Sequence, residues 1–155
     1  QATVTGPGSS ASVSEQHPIT DSEHLARGET YPGYSTTPPT SGRHWSQRNP
    51  DAPVACGIYD GELRDEQTTH NLEHGHVIIS YNLMDPQMIS ELEDAAKDLP
   101  SRNRWLVMHP YSEIPEGQIA MTAWGWLQRF DSVDPQGIKA FYDAHFGEGP
   151  EFINC

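Results

Sequence analysis

Basic residues are scarce in this chain. Its 155 residues hold 9 Lys+Arg against 22 Asp+Glu, a net charge of −13. A nucleic-acid binder needs a cationic footprint to displace counterions, and docking on anionic lipid needs the same, so the balance argues against both partners. An acidic surface that keeps a protein in solution is the ordinary reason for such a charge, and attraction of cations is compatible with it. Long apolar runs are missing too: nothing approaches the ~20 apolar residues of a membrane helix. Cysteine occurs only at Cys56 and Cys155, with no CxxC pair, which removes the paired-thiolate motifs. No GxSxG elbow, Walker loop or GxGxxG turn is present. The HExxH pattern also fails, because His70 and His74 enclose Asn71-Leu72-Glu73, with the glutamate in the wrong place.

The chain is long enough for one domain with a sizeable core. Residues 1–20 read as a flexible tether: Gln1 to Gln16 are rich in Ser, Gly, Thr and Ala and have no apolar period. Residues 21–155 read as a single globular domain. Within it, Asp21 to Pro53 form a long irregular segment, dense in proline, which Tyr31, Tyr34 and Trp45 give the means to pack. Strands are expected at Cys56–Tyr59, His76–Tyr81, Trp105–Met108 and Ile119–Trp126, with Leu127–Phe130 continuing the last or turning into another. Asp85-Pro86 and Asp134-Pro135 each open a helix, with Asp as N-cap and Pro at the first position. The first runs to Leu99 before Pro100, the second to Gly147. This order predicts an α+β domain: a small, largely antiparallel sheet, two helices packed on one face, and the long irregular N-terminal loop wrapping the rest.

Histidine is what the chain has in excess. His70, His74 and His76 fall with Glu73 inside the run Thr69-His70-Asn71-Leu72-Glu73-His74-Gly75-His76, and His44 lies upstream in a Pro/Gly-rich segment. Imidazole is the commonest protein metal ligand. His70 and His74 share a face on a helical turn, while His74 and His76 share one on a strand. Both relations hold if a turn of helix at 70–73 runs into the strand, with Gly75 permitting the junction. Met108 and Met121, on expected strands, offer thioethers that would select copper, although methionine on a strand is more often core filler. Glu73 is a candidate to orient an imidazole from behind. His17, His24, His109 and His145 read as ordinary surface or core residues. The two cysteines could be unrelated, could be ligands or could pair; an even count in an exported chain favours a disulfide.

The segments Pro38-Pro39-Thr40-Ser41-Gly42-x-His44, Gly57-x-Tyr59, His70-Asn71-Leu72-Glu73-His74-Gly75, Ala123-Trp124-Gly125 and Gly149-Pro150-Glu151 resemble, in this order, domain-of-unknown-function family 3105. The resemblance spans about Tyr34 to Glu151. It implies export, as a secreted or membrane-anchored protein, and it pairs His44, His70 and His74; it lends nothing to His76 or to the disulfide. The expected function is an exported mononuclear copper-binding protein, secreted, periplasmic or anchored to the cell envelope, that serves copper handling or electron transfer. His44, His70 and His74 are the core ligands, Met121 or Met108 a weak fourth, His76 a lesser candidate, and zinc the alternative metal. A redox or copper-transfer protein is the expected partner, and a removed N-terminal anchor the one expected membrane link. Two readings compete: a metal-dependent oxidase or hydrolase with an open metal position, and a metal-free envelope interaction module. Trp124 is expected to lie buried beneath the metal site.

Overall fold

A computed structural model describes residues 12–46 and 52–155. The elements run β1 (Glu15–Gln16), β2 (His24–Leu25), β3 (His44–Trp45), β4 (Gly57–Ile58), α1 (Asp65–Glu73), β5 (Val77–Asn82), α2 (Pro86–Lys97), α3 (Arg102–Trp105), β6 (Leu106–Pro110), β7 (Gln118–Ala123), β8 (Trp126–Phe130) and α4 (Pro135–His145). Six strands form one mixed sheet in the order β1-β8-β7-β5-β6-β4, and β2 pairs with β3 apart from it. The pairs β1/β8, β8/β7 and β7/β5 are antiparallel, whereas β5/β6 and β6/β4 are parallel. The domain is α+β, and the sheet is largely but not fully antiparallel. The parallel step from β5 to β6 needs a crossover, which α2 and α3 supply.

Both Asp-Pro devices work as the sequence predicts. Asp85 accepts from the Gln87 amide at 2.9 Å, and Asp134 from the Gly137 amide at 3.0 Å. The helices they open share one sheet face: Leu92 and Ala96 of α2 and Ile138, Phe141 and Tyr142 of α4 pack with Val77, Ile79, Leu106, Met108 and Met121. The alternate residues Ile78 and Val107 point the other way and pack with Leu72 of α1. So α1 lies on the sheet face opposite α2 and α4, and β3 and the loop around it close over α1.

Of the two expected forms of 119–130 the second holds: β7 and β8 make a hairpin that turns at Trp124-Gly125, where Gly125 takes a positive φ of 83°. Three details differ from the sequence reading. The expected single helical turn at 70–73 is a nine-residue helix. Trp105, expected to open a strand, closes the short helix α3. The sheet also begins inside the stretch expected to be a tether: Glu15 and Gln16 pair with Leu127 and Trp126. Residues 1–11, the rest of that tether apart from 12–20, lie outside the described residues.

Candidate metal centre

Helix α1 starts with a reciprocal contact: the Arg64 amide donates to the Gln67 side-chain oxygen at 2.8 Å. Asp65 and Glu66 in its first turn complement the helix dipole. Its far end is the informative one. Leu72 is the only large apolar residue in Asp65–Glu73, yet Thr68, Thr69, His70, Asn71 and Glu73 are buried with it. Gly75, with φ +96°, turns the chain out of the helix and into β5, and the Gly147 backbone sits where a Cβ would project.

His70, Glu73 and His74 share the buried face, three and four residues apart. The Nδ1–H of His70 donates to the Trp45 carbonyl at 2.7 Å, so its Nε2 carries the lone pair. That Nε2 stands 3.1 Å from Nε2 of His74. The Nδ1–H of His44 donates to the Gly42 carbonyl at 2.9 Å, and its Nε2 faces Oε1 of Glu73 at 3.0 Å. Parallel pairing of β2 with β3 sets His24 beside His44. One ligand atom each from His24, His44, His70 and Glu73 therefore lies within 4.8 Å of the others. His44 and His70 are buried, whereas His24 is exposed and forms the rim.

The carbonyl that orients His70 is itself held. Trp45 donates its indole N–H to the Glu29 carbonyl at 2.9 Å, and the Arg64 guanidinium lies over its ring at 5.2 Å. Arg43 is tied to Asp21 at 2.8 Å, which fixes the loop leading to His44.

Electrostatics suit a cation. Burial pushes the His70 imidazole down to about 4, so it is uncharged at neutral pH, and burial also lowers His74. Burial raises the Glu73 carboxyl, but the His44 hydrogen bond and charge outweigh that, and the net shift is downward. The centre thus sets His70 and His74, held uncharged by burial, beside a carboxylate that is held ionised. The donor set fits a metal. Imidazoles whose Nδ1–H is fixed by a carbonyl present Nε2 in a set direction, as metal-ligating histidines usually do. Two Nε2 atoms 3.1 Å apart need a proton or a cation between them.

The structure thus gathers His44, His70 and His74, and adds His24, which the sequence reading takes as ordinary. No spacing marks His24; only its cross-strand place opposite His44 does. His76 is close by but engaged: Nδ1 accepts from the Asn71 amide at 2.9 Å, and Nε2–H donates to the Ile153 carbonyl at 2.8 Å. Burial lowers it to about 4. Both its nitrogens are used as structural ties. Met108 and Met121 are not brought to the site. Each is paired with Ile79, fully buried in the core against α2 and α4, on the sheet face away from α1. The strand alternation that buries them aims their thioethers away from the imidazoles, so the expected weak fourth ligand is corrected. His109 is likewise occupied, accepting from the Leu63 amide at 3.1 Å and facing Ser80 at 3.1 Å. Cys56 and Cys155 form a disulfide with Cα atoms 5.8 Å apart, so neither is a thiolate ligand in this state. Trp124 is half-buried and packs against the cluster of Leu72, Ile78 and Val107 under α1.

The motif segments converge here. The Gly125 amide donates to the Thr40 carbonyl at 2.8 Å, His44 meets Glu73, and Gly149 lies against residues 72–75. No curated protein and no solved structure matches the chain. One family model does, over residues 26–155, described as "Protein of unknown function (DUF3105)". The chain belongs to that family, and the segments that meet around α1 are those through which it resembles the family.

Proposed function

We propose that this protein is an exported mononuclear copper-binding protein that handles copper, with His44 and His70 as the fixed ligands, His74 and His24 completing the imidazole set, and Glu73 as the charge-balancing carboxylate. One observation carries the reading: two buried imidazoles, each with Nδ1–H held by a backbone carbonyl, turn Nε2 toward one carboxylate and a third imidazole. With the methionines out of reach, the donors are nitrogen and oxygen, which suit Cu(II) or Zn(II) better than Cu(I). Among divalent ions Cu(II) binds such a set most tightly. The absence of thiolate and thioether donors from the cluster disfavours a blue-copper electron-transfer role, and the exposed His24 suits a site that exchanges its metal with a transfer partner.

Export is supported by the disulfide, which persists in oxidising compartments. Among the described residues no helix is long and apolar enough to cross a membrane. A second reading has its own support. Glu73 is an ionised carboxylate within the imidazole cluster; beside a bound metal it would supply a base, which favours a metal-dependent hydrolase or oxidase.

The test is a chelator-competition titration of Cu(II) and Zn(II) against wild type and a His44→Ala/His70→Ala variant. The expected result is one tight equivalent of copper, held more tightly than zinc and lost in the variant. Zinc held more tightly than copper overturns the metal assignment; equal binding by variant and wild type overturns the site.

A further inference from the structure

Residues 148–155 run across the end of α1 as a strap. The Glu151 amide donates to the Glu73 carbonyl at 3.0 Å, and the Ile153 amide to the His74 carbonyl at 3.1 Å. These are orphan carbonyls of the helix end, which need partners from outside the helix. Gly149 lies so close that an added Cβ would stand 2.6 Å from the Glu73 oxygen and 2.7 Å from the Gly75 nitrogen. Oε1 of Glu151 comes within 3.4 Å of Nε2 of His74. His76 grips the strap from below through the Ile153 carbonyl. The strap therefore bonds the two residues, Glu73 and His74, whose side chains belong to the metal centre.

Its far end is held covalently. Cys155 pairs with Cys56, and the Asn71 side chain pins the segment just before Cys56 by accepting from the Val54 amide at 3.0 Å and donating to its carbonyl at 2.8 Å. Cys155 is exposed and Cys56 half-buried, so a thiol can reach the bond.

Resting on the metal-site reading above, we propose that the strap is a redox latch on the metal centre: the intact disulfide keeps Glu73 and His74 in place and the metal bound, and reduction loosens the strap and weakens binding. The reductant is a dithiol. One of its thiolates attacks Cys155, the S–S bond breaks, and Cys56 leaves as a thiolate. The second thiol of the reductant resolves the mixed disulfide. Two electrons pass to the cysteines, the reductant's two protons end on them, and the reductant leaves as a disulfide.

Three samples test this: oxidised wild type; wild type reduced with dithiothreitol, alkylated with iodoacetamide and freed of reagent; and Gly149→Ala, which keeps the disulfide but crowds the strap off the helix end. Cu(II) affinity is read by chelator competition, and amide exchange at Glu151 and Ile153 without metal. Both altered forms are expected to bind copper about 10–100-fold more weakly, the effect of losing partners that position metal ligands. Both should lose protection at the two strap amides while amides within α1 keep theirs. Should the reduced protein unfold, the disulfide is a staple of the whole fold and the redox latch is overturned, while Gly149→Ala still reads the strap's hold on Glu73 and His74. Affinity unchanged from wild type in that variant, or in a reduced protein that stays folded, overturns the latch and leaves the metal site standing. Oxidised wild type that takes up no copper overturns the metal site and the latch with it.

Discussion

Asn71 is the residue whose loss should cost most for its size. It is buried with no exposure, and its side chain makes three hydrogen bonds: from the Val54 amide at 3.0 Å, to the Val54 carbonyl at 2.8 Å and to Nδ1 of His76 at 2.9 Å. Asn71→Ala removes all three and offers no replacement. A buried polar group left without a partner costs roughly 1–3 kcal/mol. Val54 is half-buried, so water recovers part of the loss there, and about 1 kcal/mol for each of its two groups is reasonable. His76 is fully enclosed, and its bare nitrogen costs about 2 kcal/mol. The sum is about 4 kcal/mol, a large share of the 5–15 kcal/mol typical of a domain. At roughly 2–4 °C per kcal/mol for a chain of this size, Tm should fall by about 8–16 °C. The assay is denaturant and thermal unfolding with the disulfide intact, alongside nitrogen NMR of His76. Wild type should show Nδ1 bare and Nε2 protonated, because the Ile153 carbonyl can only accept. A loss below about 1 kcal/mol, or a His76 protonated at Nδ1, would refute the view that Asn71 and His76 tie the site's scaffold together.

Other outcomes follow from the same geometry. Removing the Cys56–Cys155 bridge, with its separation of 99 residues, should cost about 4–5 kcal/mol by loop-closure arithmetic for a loop of about 100 residues; alkylation without prior reduction should label no thiol, and two labelled thiols would contradict the bridge. Burial holds His70, His76 and His109 at about 4 against an ordinary 6.5, so between those values the unfolded chain binds more protons. Stability should therefore fall as pH drops from 6.5 to 4, by several kcal/mol in total; a flat urea midpoint across that window would count against it. Met121→Leu should leave copper affinity unchanged and cost less than about 1.5 kcal/mol as a volume-conserving core swap; weakened copper binding would put the thioether back in the site. Bound copper should quench Trp45, whose carbonyl holds His70, more than Trp124, so Trp45→Phe should remove most of the quenching.

The central strands, α2 and α4 are legible in the sequence: β5, β6 and β7 are short, nearly continuous buried runs, the helices repeat apolar residues at helical spacing, and Asp-Pro announces both of them. Helix α1 is legible only at its end. Its buried face is Thr68, Thr69, His70, Asn71 and Glu73, so hydrophobic periodicity has nothing to register; a helix whose buried face is polar looks like a loop. The histidine density marks the site, and the i, i+4 relation of His70 and His74 holds. His24 escapes notice because its membership depends on β2 pairing with β3 across the irregular chain of residues 26–43, which no local pattern encodes. The methionines mislead for the opposite reason: strand placement is right, but alternation puts them on the other face, which only the position of α1 relative to the sheet decides. His76 likewise stands two residues from His74, yet Asn71 and the strap claim both of its nitrogens.

The proposed copper site requires the nitrogens of His44 and His70 to meet at one ion. Electron spin resonance of protein loaded with one equivalent of Cu(II) reads that directly, because each coordinated imidazole nitrogen splits the copper signal. The geometry predicts one homogeneous signal with at least three coupled imidazole nitrogens, falling by one in His70→Ala and by one in His44→Ala while His109→Ala leaves the count unchanged. A signal from solvated or heterogeneous copper in wild type, or a nitrogen count untouched by the loss of His44 and His70, would contradict it.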